Sequence, residues 1–115
     1  MAYNVNLEST DLKLAKSIAK QIRERDGGLK CVKALGFFLE DKKLAQVSMN
    51  LTNYQVTSVE RVYAEIERLA QAAGVAIRES ELVGLAPAAA LPEGVPERVR
   101  LAGFDRRKQI LEELL

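Results

Sequence analysis

Histidine is absent from this sequence, cysteine occurs once, and proline and glycine together account for only ten residues, 3 and 7 respectively, of 115. Without histidine the chain lacks the side chain most often used as a general base near neutral pH. Catalysis by this chain alone would have to use carboxylates, lysines, tyrosines or the one thiol. A solitary Cys31 excludes an internal disulfide framework and a CxxC metal pair, and it favours the cytoplasm as the expected compartment. With no histidine to activate that thiol, packing is its expected role. Glycine and proline are too scarce for a disordered or low-complexity chain. The net charge of +1 supplies no field that would gather nucleic acid or an anionic membrane. No basic stretch leading into an apolar one opens the sequence. The longest apolar run, LVGLAPAAAL, is too short and too proline-broken to cross a bilayer. These absences leave an ordinary folded domain, with neither nucleic acid nor membrane as an expected partner.

What is present is a regular alternation of elements. YNVNLE, residues 3–8, alternates strictly and reads as a strand. Thr10 is the expected N-cap of a helix carrying Leu12, Ala15, Ile18, Ala19 and Ile22 at helical spacing, stopped by Gly27-Gly28. CVKALGFFLE and the stretch from Leu44 form a hairpin around EDKK. Thr57 with Glu60 reads as a capping box before the apolar stripe Val59, Val62, Tyr63, Ile66, Leu69, Ala70 and Ala73. AIRESELVGL, residues 76–85, supplies a last strand. The order β-α-β-β-α-β predicts an α+β, ferredoxin-like domain over residues 1–91: a four-stranded antiparallel sheet with both helices on one face. Residues 92–115 read as a tail, in which Ile110, Leu111, Leu114 and Leu115 suggest a short helix.

In this fold the first and third strands are central neighbours, and their apolar sides must face the helices. Parity then places Asn4 and Asn6 beside Gln46, Ser48 and Asn50 on the opposite face, a patch of uncharged donors and acceptors. A solvated sheet face is the plain reading of one such strand. Asparagine disfavours strands, however, and charged residues would keep an open face soluble at less cost, so agreement between two central strands points to a face that binds or is covered. The hairpin strand CVKALGFFLE is apolar at both parities and the last strand ends in LVGL, which implies that something packs over this side.

Several segments together resemble the C-terminal subdomain of formiminotransferases: AYNVNL, KLAKSIAKQIRE, the glycine pair followed by VKALGFFLE, LAQVSMNLTNYQVTSVERVYAEI and SELVGLAPAAAL. The resemblance covers about residues 2–91, carried mainly by VSMNLTNY and SELVGLAP, with a weaker echo in LAGFDRRKQILEEL. It implies part of a glutamate formimidoyltransferase, which moves a formimino group from N-formimino-L-glutamate to tetrahydrofolate in histidine degradation. It further implies that two ferredoxin-like subdomains face each other through their sheets with folate between them. Asn4, Asn6, Gln46, Ser48 and Asn50 would then line the folate tunnel or the subdomain contact. The family's catalytic histidine belongs to the N-terminal subdomain, so the resemblance makes this chain half of an active site, completed by that subdomain or a partner chain. Two departures stand out: Leu29-Lys30-Cys31 replaces a more turn-like segment, and Glu79 stands where a small residue is more typical.

Glu81 is a further candidate, as a strand carboxylate turned toward the cleft whose pKa burial would raise; the plainer reading is a surface acid. Lys33 could neutralise a substrate carboxylate or simply be solvated. Gly27-Gly28 lacks the companions of a phosphate loop. The alternative to a transferase half is a stand-alone ferredoxin-like binding or oligomerisation module, pairing with itself through the same face. RNA binding is third, because the central strands lack the aromatics that stack bases.

Overall fold

A computed structural model of the chain describes residues 1–114. Its sheet has four strands, β1 (Ala2–Leu7), β2 (Val32–Leu39), β3 (Leu44–Leu51) and β4 (Ile77–Val83), in the spatial order β2-β3-β1-β4. Every neighbouring pair is antiparallel. With helices α1 (Leu12–Ile22) and α2 (Val59–Ala72) between the strands, this is the expected ferredoxin-like arrangement, with β1 and β3 at the centre. Tyr3, Val5 and Leu7 of β1 and Val47 and Met49 of β3 meet Ala15, Ile18 and Ile22 of α1 and Val59, Val62 and Ile66 of α2 in one core. Each large aliphatic chain buried there contributes on the order of 1.5–3 kcal/mol.

Both helices start one residue later than their expected caps. Asp11, not Thr10, caps α1 by accepting the Leu14 N–H at 3.2 Å, while the Ser9 hydroxyl accepts the Asp11 N–H at 3.0 Å and sets the turn there. Ser58, not Thr57, caps α2 by accepting the Arg61 N–H at 3.1 Å. Thr57 is diverted because its hydroxyl donates to the Lys30 carbonyl at 2.6 Å, and Glu60 pairs with Arg98 instead of closing a capping box. The first helix ends at Ile22, before the glycines; a single 3-10 turn, Glu24–Asp26, follows, and Gly27 leaves it at φ 86°.

Close packing of α1 on β2 depends on Gly36. A Cβ there would lie 2.5 Å from the Lys16 nitrogen and 2.7 Å from the Ala15 carbonyl carbon. Ala34 is the neighbouring small residue at the same parity, and it is 5% exposed.

The final segment straps the edge of β4. It holds α3 (Val95–Arg98), α4 (Arg106–Gln109) and a 3-10 turn at Leu111–Glu113, where one terminal helix was expected. Ile110 interrupts that helix because it is extended and bridged to Ala86. Leu115, part of the expected apolar stripe, lies outside the described residues. Ser80 receives the Ala102 N–H at 2.8 Å and donates its own N–H to Arg100 at 2.9 Å, so residues 100–102 continue the sheet briefly. Gln109 then donates to the Leu82 and Gly84 carbonyls at 3.0 and 3.1 Å. Val99 and Ile110 are fully buried in the process.

Candidate ligand-binding face

Strand register fixes the side of the sheet away from the helices as three rows. One row runs Lys33, Asn50, Ala2, Val83; the next Leu35, Ser48, Asn4, Glu81; the third Phe37, Gln46, Asn6, Glu79. The expected neighbours Asn4, Asn6, Gln46, Ser48 and Asn50 therefore do share a face. It grades from apolar on β2, through uncharged amides and a hydroxyl at the centre, to carboxylates on β4. Among the described residues nothing packs over it, and Leu35, Phe37 and Val83 are 57%, 46% and 52% exposed.

Asn6 and Gln46 are nevertheless buried, and each offsets the other's cost of leaving water. Gln46 Nε2 donates to Asn6 Oδ1 at 2.9 Å, and Asn6 Nδ2 donates to Glu81 Oε1 at 2.9 Å and more weakly to Glu79 at 3.5 Å. Lys42, in the β2–β3 turn, reaches over the end of the central strands to Glu81 at 2.7 Å and Glu79 at 3.6 Å. The chain of donors runs in one sense, Gln46 to Asn6 to Glu81, with Lys42 closing it. Asn50 is exposed and accepts the Met1 ammonium at 3.0 Å; Asn4 and Ser48 are half-buried at the centre of the face.

The expectation that burial raises the Glu81 pKa is overturned. The Lys42 ammonium bonded to it, and then the Asn6 amide, hold its carboxyl below the usual range, and Glu81 in turn raises Lys42. With its side chain 27% exposed, desolvation is a smaller effect than the Lys42 hydrogen bond, and the ionised form of Glu81 is favoured. Lys42 itself escaped notice in the sequence; the partner acids it bridges alternate as Glu79 and Glu81, and that parity was the available signal.

A depressed carboxyl pKa adds stability that is present above the unfolded value, about 4.3, and is lost as pH falls through the folded value. Lys42→Gln is therefore expected to be less stable than the parent at neutral pH, with the gap closing in acid. Urea midpoints of both proteins across this range check it; a gap independent of pH would show that Lys42 acts by packing alone.

Lys33 stands exposed beside Asn50, with no ion pair among the described residues. Cys31 is half-buried at φ 62°, its N–H donating to Glu24 at 2.6 Å. Among the described residues no helix is long and apolar enough to cross a membrane, and no cluster of three or more histidine, cysteine or acidic side chains could hold a metal.

The family model of the formiminotransferase domain matches residues 2–95. The glutamate formimidoyltransferase of Thermoplasma acidophilum is 48% identical over 105 residues, 91% of this chain and 35% of that protein. That of Streptococcus pyogenes serotype M1 is 44% identical over 115 residues, 100% of this chain and 38% of that protein. The formimidoyltransferase-cyclodeaminase of Rattus norvegicus is 43% identical over 96 residues, 79% of this chain and 18% of that protein. This chain thus spans only a little over a third of the shorter relatives.

Proposed function

Because the chain belongs to the formiminotransferase family, we propose that its open sheet face is the folate-side wall of a glutamate formimidoyltransferase, active in histidine degradation. Tetrahydrofolate is the co-substrate and N-formimino-L-glutamate the donor. The observation that carries this reading is the grading of the face. A flat pterin has an apolar surface and an edge of alternating donors and acceptors. Leu35 and Phe37 offer the apolar bank, and Asn4, Ser48 and Asn50 offer the polar groups beside it. Lys33 lies where it could meet a carboxylate of the glutamate tail. Asn6 and Gln46, bonded to each other, shape the floor instead of reaching ligand, and the ionised Glu81 bounds it.

The chain carries no histidine and presents one wall only. Positioning and proton transfer both need a second layer, supplied by an N-terminal subdomain or partner chain, so the 115 residues alone are expected to show no turnover. Calorimetric titration with 5-formyltetrahydrofolate tests the wall itself. Saturable binding is expected, weakened about tenfold or more in Asn4→Leu and Asn50→Leu, the loss of roughly 1.5 kcal/mol. A folded chain that takes up no ligand overturns the assignment.

The exposed Leu35, Phe37 and Val83 favour a second reading, in which two copies pair through this face. Asn50→Arg would then halve the mass measured by light scattering, whereas a monomeric parent removes that reading.

A further inference from the structure

The two edges of the sheet are treated differently. The β4 edge is strapped by residues 100–102 and by Gln109; the β2 edge has no strand beside it among the described residues. Hydrogen bonding fixes which groups it presents. Thr52 donates to the Cys31 carbonyl at 2.9 Å and Leu51 donates to the Met1 carbonyl at 2.8 Å. With the β2–β3 register, odd-numbered β2 residues therefore bond β3, and the N–H and C=O groups of Val32, Ala34, Gly36 and Phe38 point outward. The only partner they find among the described residues is Arg23, whose guanidinium donates to the Ala34 carbonyl at a long 3.5 Å.

This edge is not a flat rim. It forms the floor of a recess of about 520 Å³ bounded by Arg23–Arg25 on the helix side and by Lys33 and Leu35 on the open side. A second recess, about 280 Å³, carries on along Gly36 beneath Lys16 and Lys20. Val32 and Ala34 at the floor are 2% and 5% exposed. The side chains of Val32 and Ala34 face the core while their outward backbone groups open into the recess, and an extended polypeptide offers them alternating N–H and C=O at the strand repeat.

Charge selects the kind of polypeptide. Lys16, Lys20, Arg25 and Lys33 have no ion pair among the described residues, and of the nearby acids Asp26 is paired with Arg23 and Glu24 is bonded to the Cys31 N–H. Lys16 and Lys20 are one helical turn apart, about 6 Å along α1. Alternate residues of an extended strand are about 6.7 Å apart. The two spacings match, so one side of an added strand would face a row of cations while the other side lay against exposed Leu35 and Phe37. A second copy of β2 would instead bring Lys33 and its neighbouring cations against their own kind.

We infer that the β2–α1 groove binds an extended segment of a partner polypeptide in which acidic residues alternate with apolar ones, added to the sheet as a fifth strand. The inference shares Leu35, Phe37 and Lys33 with the folate reading, but it rests on the outward backbone groups of β2 and the cations of α1, which that reading does not use.

An amidated octapeptide alternating glutamate and valine, labelled with fluorescein at its N-terminus, is the probe, titrated with the 115-residue chain and followed by fluorescence anisotropy and by backbone amide exchange of the chain. Expected are saturable binding and at least about tenfold slower exchange at Val32, Ala34, Gly36 and Phe38, the amides that gain partners. The double substitution Lys16→Glu/Lys20→Glu, on the exposed side of α1, should weaken binding at least about tenfold. Ala34→Pro, which removes an outward N–H without touching the β2–β3 ladder, should abolish it. A peptide alternating glutamate and proline, equally charged but unable to pair, should not bind. Equal binding of that peptide, or no protection of the four outward amides, overturns strand addition. A doubling of mass without peptide would assign the edge to a second copy and overturn the acidic partner.

Discussion

Asn6→Leu is expected to lower the unfolding free energy by about 2–4 kcal/mol, although the residue lies on the face of the sheet away from the helices. Asn6 is fully buried and acts as both acceptor from Gln46 and donor to Glu81. Leucine removes both functions at once. It strands the Gln46 amide and withdraws a neutral donor from a carboxylate, and an enclosed polar group without a partner costs more than a made hydrogen bond contributes. The diagnostic result is non-additivity: Asn6→Leu/Gln46→Leu should cost less than the sum of the single substitutions, because the second change removes the stranded group. Urea unfolding of the four proteins measures it. Additive losses would mean that the amide pair is two independent surface contacts.

Gly36→Ala should be as damaging for a different reason. A new Cβ meets backbone on the α1 side, at 2.5, 2.7 and 2.8 Å from atoms of Lys16 and Ala15, and backbone cannot rotate away as a side chain can. The helix must rise by roughly 1 Å to reach ordinary van der Waals distance. That lift loosens Ile18 and Ile22, both buried against the sheet. A loss of about 2–4 kcal/mol, or roughly 10–15 °C in thermal midpoint, is expected. A calorimetric midpoint within about 2 °C of the parent would show that α1 rides higher on the sheet than this packing requires.

Much of the architecture was legible because it rests on period. The two-residue alternation of β1 and β3 and the helical stripes of α1 and α2 fix which side of each element is buried, and strand order then brings Asn4, Asn6, Gln46, Ser48 and Asn50 to one face. The caps were less legible, since Thr10 and Asp11, like Thr57 and Ser58, are adjacent residues of comparable capping power. For α2 the choice was made by a carbonyl distant in sequence, at Lys30. The surroundings of Glu81 were harder to read: its partner Lys42 sits 39 residues away, and only the alternation of Glu79 and Glu81 hinted at a shared cation. The tail's apolar spacing was real, but Ile110 pairs with Ala86 just beyond β4 while the Gln109 side chain donates to Leu82 and Gly84, and a continuous helix gave way.

The strap over β4 also governs how copies can associate. A sheet with two open edges is divalent and can add neighbours without end, the geometry of a fibril. With β4 closed by residues 100–102 and Gln109, the sheet is monovalent: edge pairing stops at one added strand or one pair of molecules. Releasing the segment after Leu91 would restore the second valence, turning a terminating assembly into a propagating one.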